Sequence, residues 1–485
     1  MFIRHALLGT ALFALSSAIA LAAPATGDEA ARLTALFQTY VGAEPGVVTV
    51  APSGDAYTVT FDFAPFIAKA SSDTFTGTIT PYVMTLTDND DGTWATSVDQ
   101  AFAADFTVTG LSAMSYKMGS IKGSGIFDET LAAFTTSRTD FTDISITQVM
   151  SLPDAPPTNS STTASSGYYE SAAVASTVKG VDSTVSYALT DYAQTMAMPG
   201  APGSAPSEIL ITAQTYGATG AIKGFQPDAF YKLIAWFVAH PSEAAIKADQ
   251  AGLKAVLTEG MPFFQNIDTT GAMENVTIGT PVGVFAVDKL GIAVTVNGLI
   301  ADGLFREAIT VSGLTVPEGL LPAWSADLVP TAFGIDVTGS GFDAAAPAAA
   351  FIAAFDLTKP DPVDPATSAQ MMAAFLPKGT VDITLAPGNI TAPSYNLTYE
   401  GAMTAGPGGL PTGTAKVTMT GMDAVLAALQ SGPPEMTGQI VPALVIAKGI
   451  ATAQADGALV WNIDASTPGT LLVNGLDAMA IMGGQ

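Results

Sequence analysis

Side chains able to do covalent or acid–base chemistry are scarce in this sequence. It has no cysteine and two histidines. That removes thiolate nucleophiles, zinc–thiolate sites, iron–sulfur clusters and disulfides. His5 belongs to a leader-like N-terminus, so a serine–histidine–acid triad would depend on His240 alone, and no Gly-x-Ser-x-Gly turn accompanies it. His240 ends an apolar helical run directly before Pro241, where an imidazole serves the helix C-terminus. Ser176-Thr177-Val178-Lys179 matches the Ser-x-x-Lys of penicillin-recognising enzymes, but it reads as strand and the Ser-Asp-Asn and Lys-Thr-Gly partners do not occur. Asp88, Asp90 and Gly92 echo the start of a calcium loop without its later ligands. A solvated hairpin tip is the expectation there, with weak calcium binding at Asp88–Asp91 as the alternative. Gly123-Ser124-Gly125 and Gly339-Ser340-Gly341 lack the third glycine of a dinucleotide loop, and residues 406–413 carry no phosphate-binding lysine. The expectation is a protein without catalytic, cofactor-binding or metal-binding residues. A hydrolase built on the plentiful carboxylates is the enzymatic alternative.

Binding promise lies in one helix. Residues 227–239 are apolar on almost every side, and Phe230, Tyr231, Trp236 and Phe237 exceed what one buried face needs. Such a helix is either sandwiched between layers or lines a site for a lipid or other apolar ligand.

The elements that would position it follow from periodicity and punctuation. Five times a β-like run stops at a glycine, takes one or two apolar residues and meets an aspartate: at Gly125, Gly224, Gly341, Gly421 and Gly475. Glycine permits a sharp exit and aspartate caps a helix, so each mark predicts strand, turn and helix. Helices are expected over 29–40, 130–134, 227–239, 243–259, 348–355, 424–429 and through Met371, Met372 and Phe375. Strands are expected over 47–50, 57–61, 74–87, 93–98, 105–109, 115–122, 141–149, 171–198, 208–223, 282–287, 292–296, 381–385, 395–399, 415–419, 458–463 and 471–473. Residues 152–167 and 199–207, rich in proline and small polar residues, read as long loops. The fold class is therefore α+β, with large, strongly twisted antiparallel sheets and amphipathic helices laid on them. The chain divides into a cleaved signal peptide over 1–22 and one elongated body over 23–485, with sub-boundaries near 153–167 and 359–366.

The leader has Arg4 and His5, an apolar stretch over 6–19 and the small-residue site Ala20-Leu21-Ala22. It predicts export to the periplasm with no transmembrane span after cleavage. Only 12% of residues are charged, against about 25% in an average domain, and the net charge is −26. Such a surface repels nucleic acid and anionic head groups.

The tail Asp456-Gly457-Ala458-Leu459-Val460-Trp461-Asn462-Ile463, followed by Leu472-Val473-Asn474-Gly475, resembles the end of the alphaproteobacterial family called domain of unknown function 2125. The strand–Gly–Leu–Asp rhythm is similar to that of AsmA-type envelope proteins, whose β-layers form a groove for lipids. The resemblance implies a Gram-negative envelope protein and supplies no catalytic residues. The functional expectation is a non-enzymatic periplasmic protein that binds a lipid or other apolar envelope component. The alternative is a structural scaffold whose long loops reach a partner.

Overall fold

The computed structural model describes residues 24–71, 74–151, 157–198, 207–478 and 480; the leader expectation lies outside them. The first helix, α1 (Gly27–Val41), begins where the Thr26 side chain accepts the Glu29 N–H, and Asp28 and Glu29 favour its positive end. Its apolar stripe, Ala30, Leu33, Phe37 and Tyr40, is buried. There follow β1 (Val48–Ser53), β2 (Ala56–Phe61), α2 (Ala64–Ala70), β3 (Phe75–Ile79), β4 (Tyr82–Asp88) and β5 (Thr93–Val108). The expected hairpin forms: Asp88 pairs with Trp94 across the tip.

Long strands then run back and forth: β6 (Ser112–Asp128), β7 (Ala133–Met150), β8 (Thr158–Ala175), β9 (Val181–Met198) and β10 (Ser207–Phe225). Three helices intervene, α3 (Pro227–Ala239), α4 (Glu243–Ala248) and α5 (Gln250–Gly260), before β11 (Asn266–Thr280), β12 (Gly283–Asn297), β13 (Gly303–Ser312) and β14 (Ala332–Phe342). Helices α6 (Ala345–Ala354) and α7 (Pro365–Phe375) lead to β15 (Val381–Ala392), β16 (Tyr395–Ala405) and β17 (Thr412–Thr420). The C-terminal part holds α8 (Met422–Gln430), α9 (Pro434–Thr437), α10 (Ile440–Ile450), β18 (Thr452–Ala453), β19 (Leu459–Asp464), β20 (Leu472–Val473) and β21 (Leu476–Asp477). From β5 to β17 each strand pairs antiparallel with the next, and β19 joins β17. The described strands make one sheet of 21, and its pairings do not close it on itself. No described helix is long and apolar enough to cross a membrane.

Several local expectations are corrected. Gly125 opens no helix: Asp128 accepts N–H groups from Thr130 and Leu131 in a tight turn, and residues 133–134 start β7. The cap chemistry is the same, but a strand partner competes successfully for the backbone that follows. At Gly421 the glycine itself is the N-cap, in the left-handed conformation, while Asp423 pairs with Lys448 instead of capping. The run 171–198 is two strands, broken at 176–180, so Ser176–Lys179 lies in a turn and not on a strand. Of the expected loop over 152–167, residues 152–156 lie outside the described part and residues 158–167 belong to β8. Their Ser/Thr content suited a strand flanked on both sides by partners. The loop expected over 199–207 falls, except for Ser207, outside the described residues. The helix expected over 243–259 breaks at Asp249, which ends α4 and accepts the Gly252 N–H to start α5.

The long strands also share a bend. Asp143, Ser165, Asp191, Gln214, Asn275 and Asp288, on β7 to β12 in turn, are skipped by the pairing on both sides. Asp143, Asp191 and Asn275 take φ of 52°, 52° and 51°, a left-handed conformation that Asp and Asn tolerate best among residues with a Cβ. Such bulges kink a strand and raise its twist. Ser165 donates to Asp191 at 2.8 Å, and Asn275 donates to Gln214. The skipped residues are exposed, while Ile144, Ala164, Ala213 and Val276 beside them are buried. A polar crease thus crosses six strands at one level.

Candidate functional site

Alternate residues of a strand share a face, and directly paired residues share it too. One row of partners can be followed through fourteen strands: Thr96, Gly125, Ser137, Ser171, Val185, Gly220, Thr269, Val294, Glu307, Val337, Leu385, Gly401, Ala415 and Ile463. Helices cover both ends of this face. At the N-terminal end α1 buries Tyr57, Val59, Met84, Leu86, Trp94 and Phe127. At the other end α8 and α10 pack on Leu397, Val417, Met419, Leu459 and Trp461.

Between them the face is apolar and open. Ile292 pairs with Ile309 and Ile309 with Ile335. Leu290, Val311, Phe333, Ile390 and Leu397 form a second paired row that runs from exposed Leu290 through buried Val311 to Leu397 under α8 and α10, and Val296 pairs with Phe305. Ile292 is 48% exposed, Phe305 46% and Ile335 40%, and none of the three joins a helix-bearing core cluster; α7 reaches β14 at its end, where Phe375 stacks on Phe342. Five strands at about 4.8 Å spacing make a patch roughly 20 Å wide. Apolar patches on this scale usually have a functional reason.

The opposite face is polar. Its row Arg138, Glu170, Ser186, Thr219, Thr270, Ala293, Ala308 and Asp336 includes three charged residues. Arg138 is paired with Asp140 and Glu170 and lies over the Tyr168 ring, Arg306 meets Asp336 at 2.8 Å, and Lys289 meets Glu274 at 3.3 Å. The sheet curls around this face across β5 to β11, forming a trough of about 850 Å³. Arg138 is the one base among its lining residues, held between Asp140 and Glu170, and Asp268 accepts the Thr295 hydroxyl, so the trough is acidic.

The four aromatic residues singled out in the sequence separate into two pairs. Tyr231 packs into the α1 core with its ring 4.7 Å from Tyr40, and burial raises its phenol pKa. Trp236 is buried with Leu253, Ile352 and Phe355. Its ring stacks on His240 at 4.0 Å and its Nε1 donates to Asp249 at 3.3 Å. Phe230 and Phe237 are exposed, at 42% and 44%. His240 sits at the C-terminus of α3, Nδ1 2.7 Å from the Trp236 carbonyl and Nε2 3.2 Å from Asp249. At the 88–92 hairpin tip, Asp88 and Asp91 accept local N–H groups from Asp90 and Thr93. Among the described residues no group of three His, Asp or Glu side chains is placed to hold a metal. Lys179 donates to the Glu259 carbonyl at 3.2 Å, away from Ser176, whose hydroxyl accepts the Val178 N–H.

Sequence reasoning missed the open patch. The signal was present as two alternations, Leu290-Ile292-Val294-Val296 and Phe305-Glu307-Ile309-Val311. Each reads as an ordinary strand; the register reveals that they join, and exposure that Ile292 and Phe305 stay uncovered.

No protein-family model and no curated protein matches the chain. Among solved structures, the siderophore receptor PirA from Acinetobacter baumannii aligns at 7% identity over 75% of this chain and 56% of that one, with a TM-score of 0.16. The chain thus spans little more than half the length of that receptor, and a likeness at that score carries no argument about fold or function.

Proposed function

We propose that this protein is a non-enzymatic binder of amphiphiles, holding their hydrocarbon portion on the open face of β12 to β16. The observation that carries the reading is the continuous patch of Ile292, Phe305, Ile335 and their paired neighbours, left uncovered between two helix-covered ends of the same face. An alkyl chain laid on such a surface is half-buried, gaining about 0.4 kcal/mol per methylene. A twelve-carbon chain then gains about 5 kcal/mol, a dissociation constant in the sub-millimolar range. The proposed setting is the periplasm, on the strength of the leader-like residues 1–22, and N-terminal sequencing of exported protein should begin at Ala23.

The test is native mass spectrometry and solvent extraction of protein purified from the periplasm. Lipid should accompany the wild type, and the double variant Ile292→Asp/Ile335→Asp should lose it while keeping its circular dichroism. Wild-type protein that carries no lipid and takes up none on incubation would sink the proposal.

A further inference from the structure

We infer that the amphiphile held on this face carries a cationic head group, and that Glu307 is its counter-charge; the inference rests on the apolar-surface reading above. Glu307 stands in the middle of the open patch. Across the strands its partners are Val294 and Val337, and along β13 its same-face neighbours are Phe305 and Ile309. All four are hydrocarbon. The register places no lysine or arginine on this face from β11 to β16. Among the described residues Glu307 has neither an ion pair nor a side-chain hydrogen bond. On the other face of the same strands, Arg306 with Asp336 and Lys289 with Glu274 are matched pairs.

An unmatched carboxylate in the middle of an apolar surface decides which ligand can cover it. A purely hydrocarbon or anionic ligand laid over Glu307 would strip water from the charge and return nothing. An ammonium group returns a charge-assisted contact. Phe305, beside it on the same face, offers a ring to the same cation. The net charge of −26 raises the local concentration of cations at the surface and lowers that of anions.

The experiment titrates the full chain with three twelve-carbon probes below their micellar concentrations: dodecyltrimethylammonium, dodecyl maltoside and dodecyl sulfate. The ammonium should bind at least tenfold more tightly than the maltoside, with the sulfate weakest. In Glu307→Gln, and in Glu307→Thr as a second variant suited to a strand, the ammonium preference should fall to about threefold or less while maltoside binding is retained. Measurement at about 0.5 M salt separates the contact from the general field, since the Debye length there is only a few ångströms. An ammonium preference equal in wild type and both variants would assign it to overall charge and overturn the role of Glu307. Maltoside binding with no ammonium preference would overturn the head-group inference alone. Binding of none of the three would overturn the apolar-surface reading itself, and the inference with it.

Discussion

The two parts of the sheet's apolar face, under α1 and over β12 to β16, are similar in composition and opposite in circumstance. Under α1, Val59 and Leu86 are fully buried and Trp94 nearly so. Over β12 to β16, Ile292, Phe305 and Ile335 are nearly half exposed. The difference is where the chain supplies a helix. Residues 27–41 immediately precede β1 and fold over it, and residues 422–450 lie between β17 and β18 and fold over the other end. In the middle β12 joins β13 through a short turn, and the longer link to β14 bridges back to Ala286 through Thr315 and sends Trp324 and Leu328 to the α8 cluster, leaving Ile292, Phe305 and Ile335 exposed. An apolar face therefore marks a need for cover, while the connections decide whether the chain itself meets it.

The largest expected effect is a difference between equivalent deletions. Leu86→Ala should cost about 2–5 kcal/mol in urea unfolding, the range for a buried leucine. Ile292→Ala should cost less than about 1 kcal/mol, because half its surface is already in water. Equal losses would erase the contrast between covered and open regions.

A smaller effect belongs to the crease. Asn275→Val places a β-branched residue at positive φ and should cost about 1–2 kcal/mol with amphiphile binding retained. Loss of binding with no loss of stability would make the crease part of the ligand surface.

Next comes the ion pair that anchors α1 to the sheet. Arg32 and Trp94 both donate to Glu129, and its carboxyl pKa is lowered, chiefly by the Arg32 hydrogen bonds. A depressed folded pKa means stabilisation present above the ordinary value of 4.5 and lost as pH falls through the lower folded value. Partial exposure limits the contribution to about 1 kcal/mol. Glu129→Gln should thus be less stable than wild type at pH 7, and the two should converge in acid. A gap that persists below pH 3 would show that the α1 end gains nothing from this charge.

The smallest effect is expected at Phe230→Ser, on the exposed side of α3, which should change stability by about 0.5 kcal/mol or less. A loss of lipid in that variant would extend the ligand surface from the sheet to the helix.

Much of the framework was legible in the sequence. The helix at 227–239 was expected over the span it occupies, because its apolar content and Pro227 leave little alternative. The Asp88–Trp94 hairpin was equally legible from its turn residues. The strand over 158–167 was not. Its serines and threonines gain a strand conformation only from β7 and β9 on either side, and those contacts are distant in sequence. Phe230 and Phe237 could not be told from Tyr231 and Trp236 by type, since exposure depends on which neighbouring helix reaches them. The open patch was hidden for the same reason: alternation gives each strand its apolar side, while cover and continuity belong to the assembled sheet.

The polar crease also bears on how such a sheet finds a unique alignment. Strands like β8, with Ser160-Ser161-Thr162-Thr163-Ala164-Ser165-Ser166, offer several nearly equivalent ways to pair. A slip of one residue would carry Asp143, Asp191 or Asn275 into regular strand and push a neighbour such as Ile144 or Val276 into the left-handed conformation that β-branched residues resist. Each mis-set strand would also lose its partner in the row, as Ser165 would lose Asp191. The crease is thus a set of alignment marks, one per strand. A repetitive sheet that carries them can hold a long apolar face continuous across many strands without relying on the side chains of that face to set the pairing.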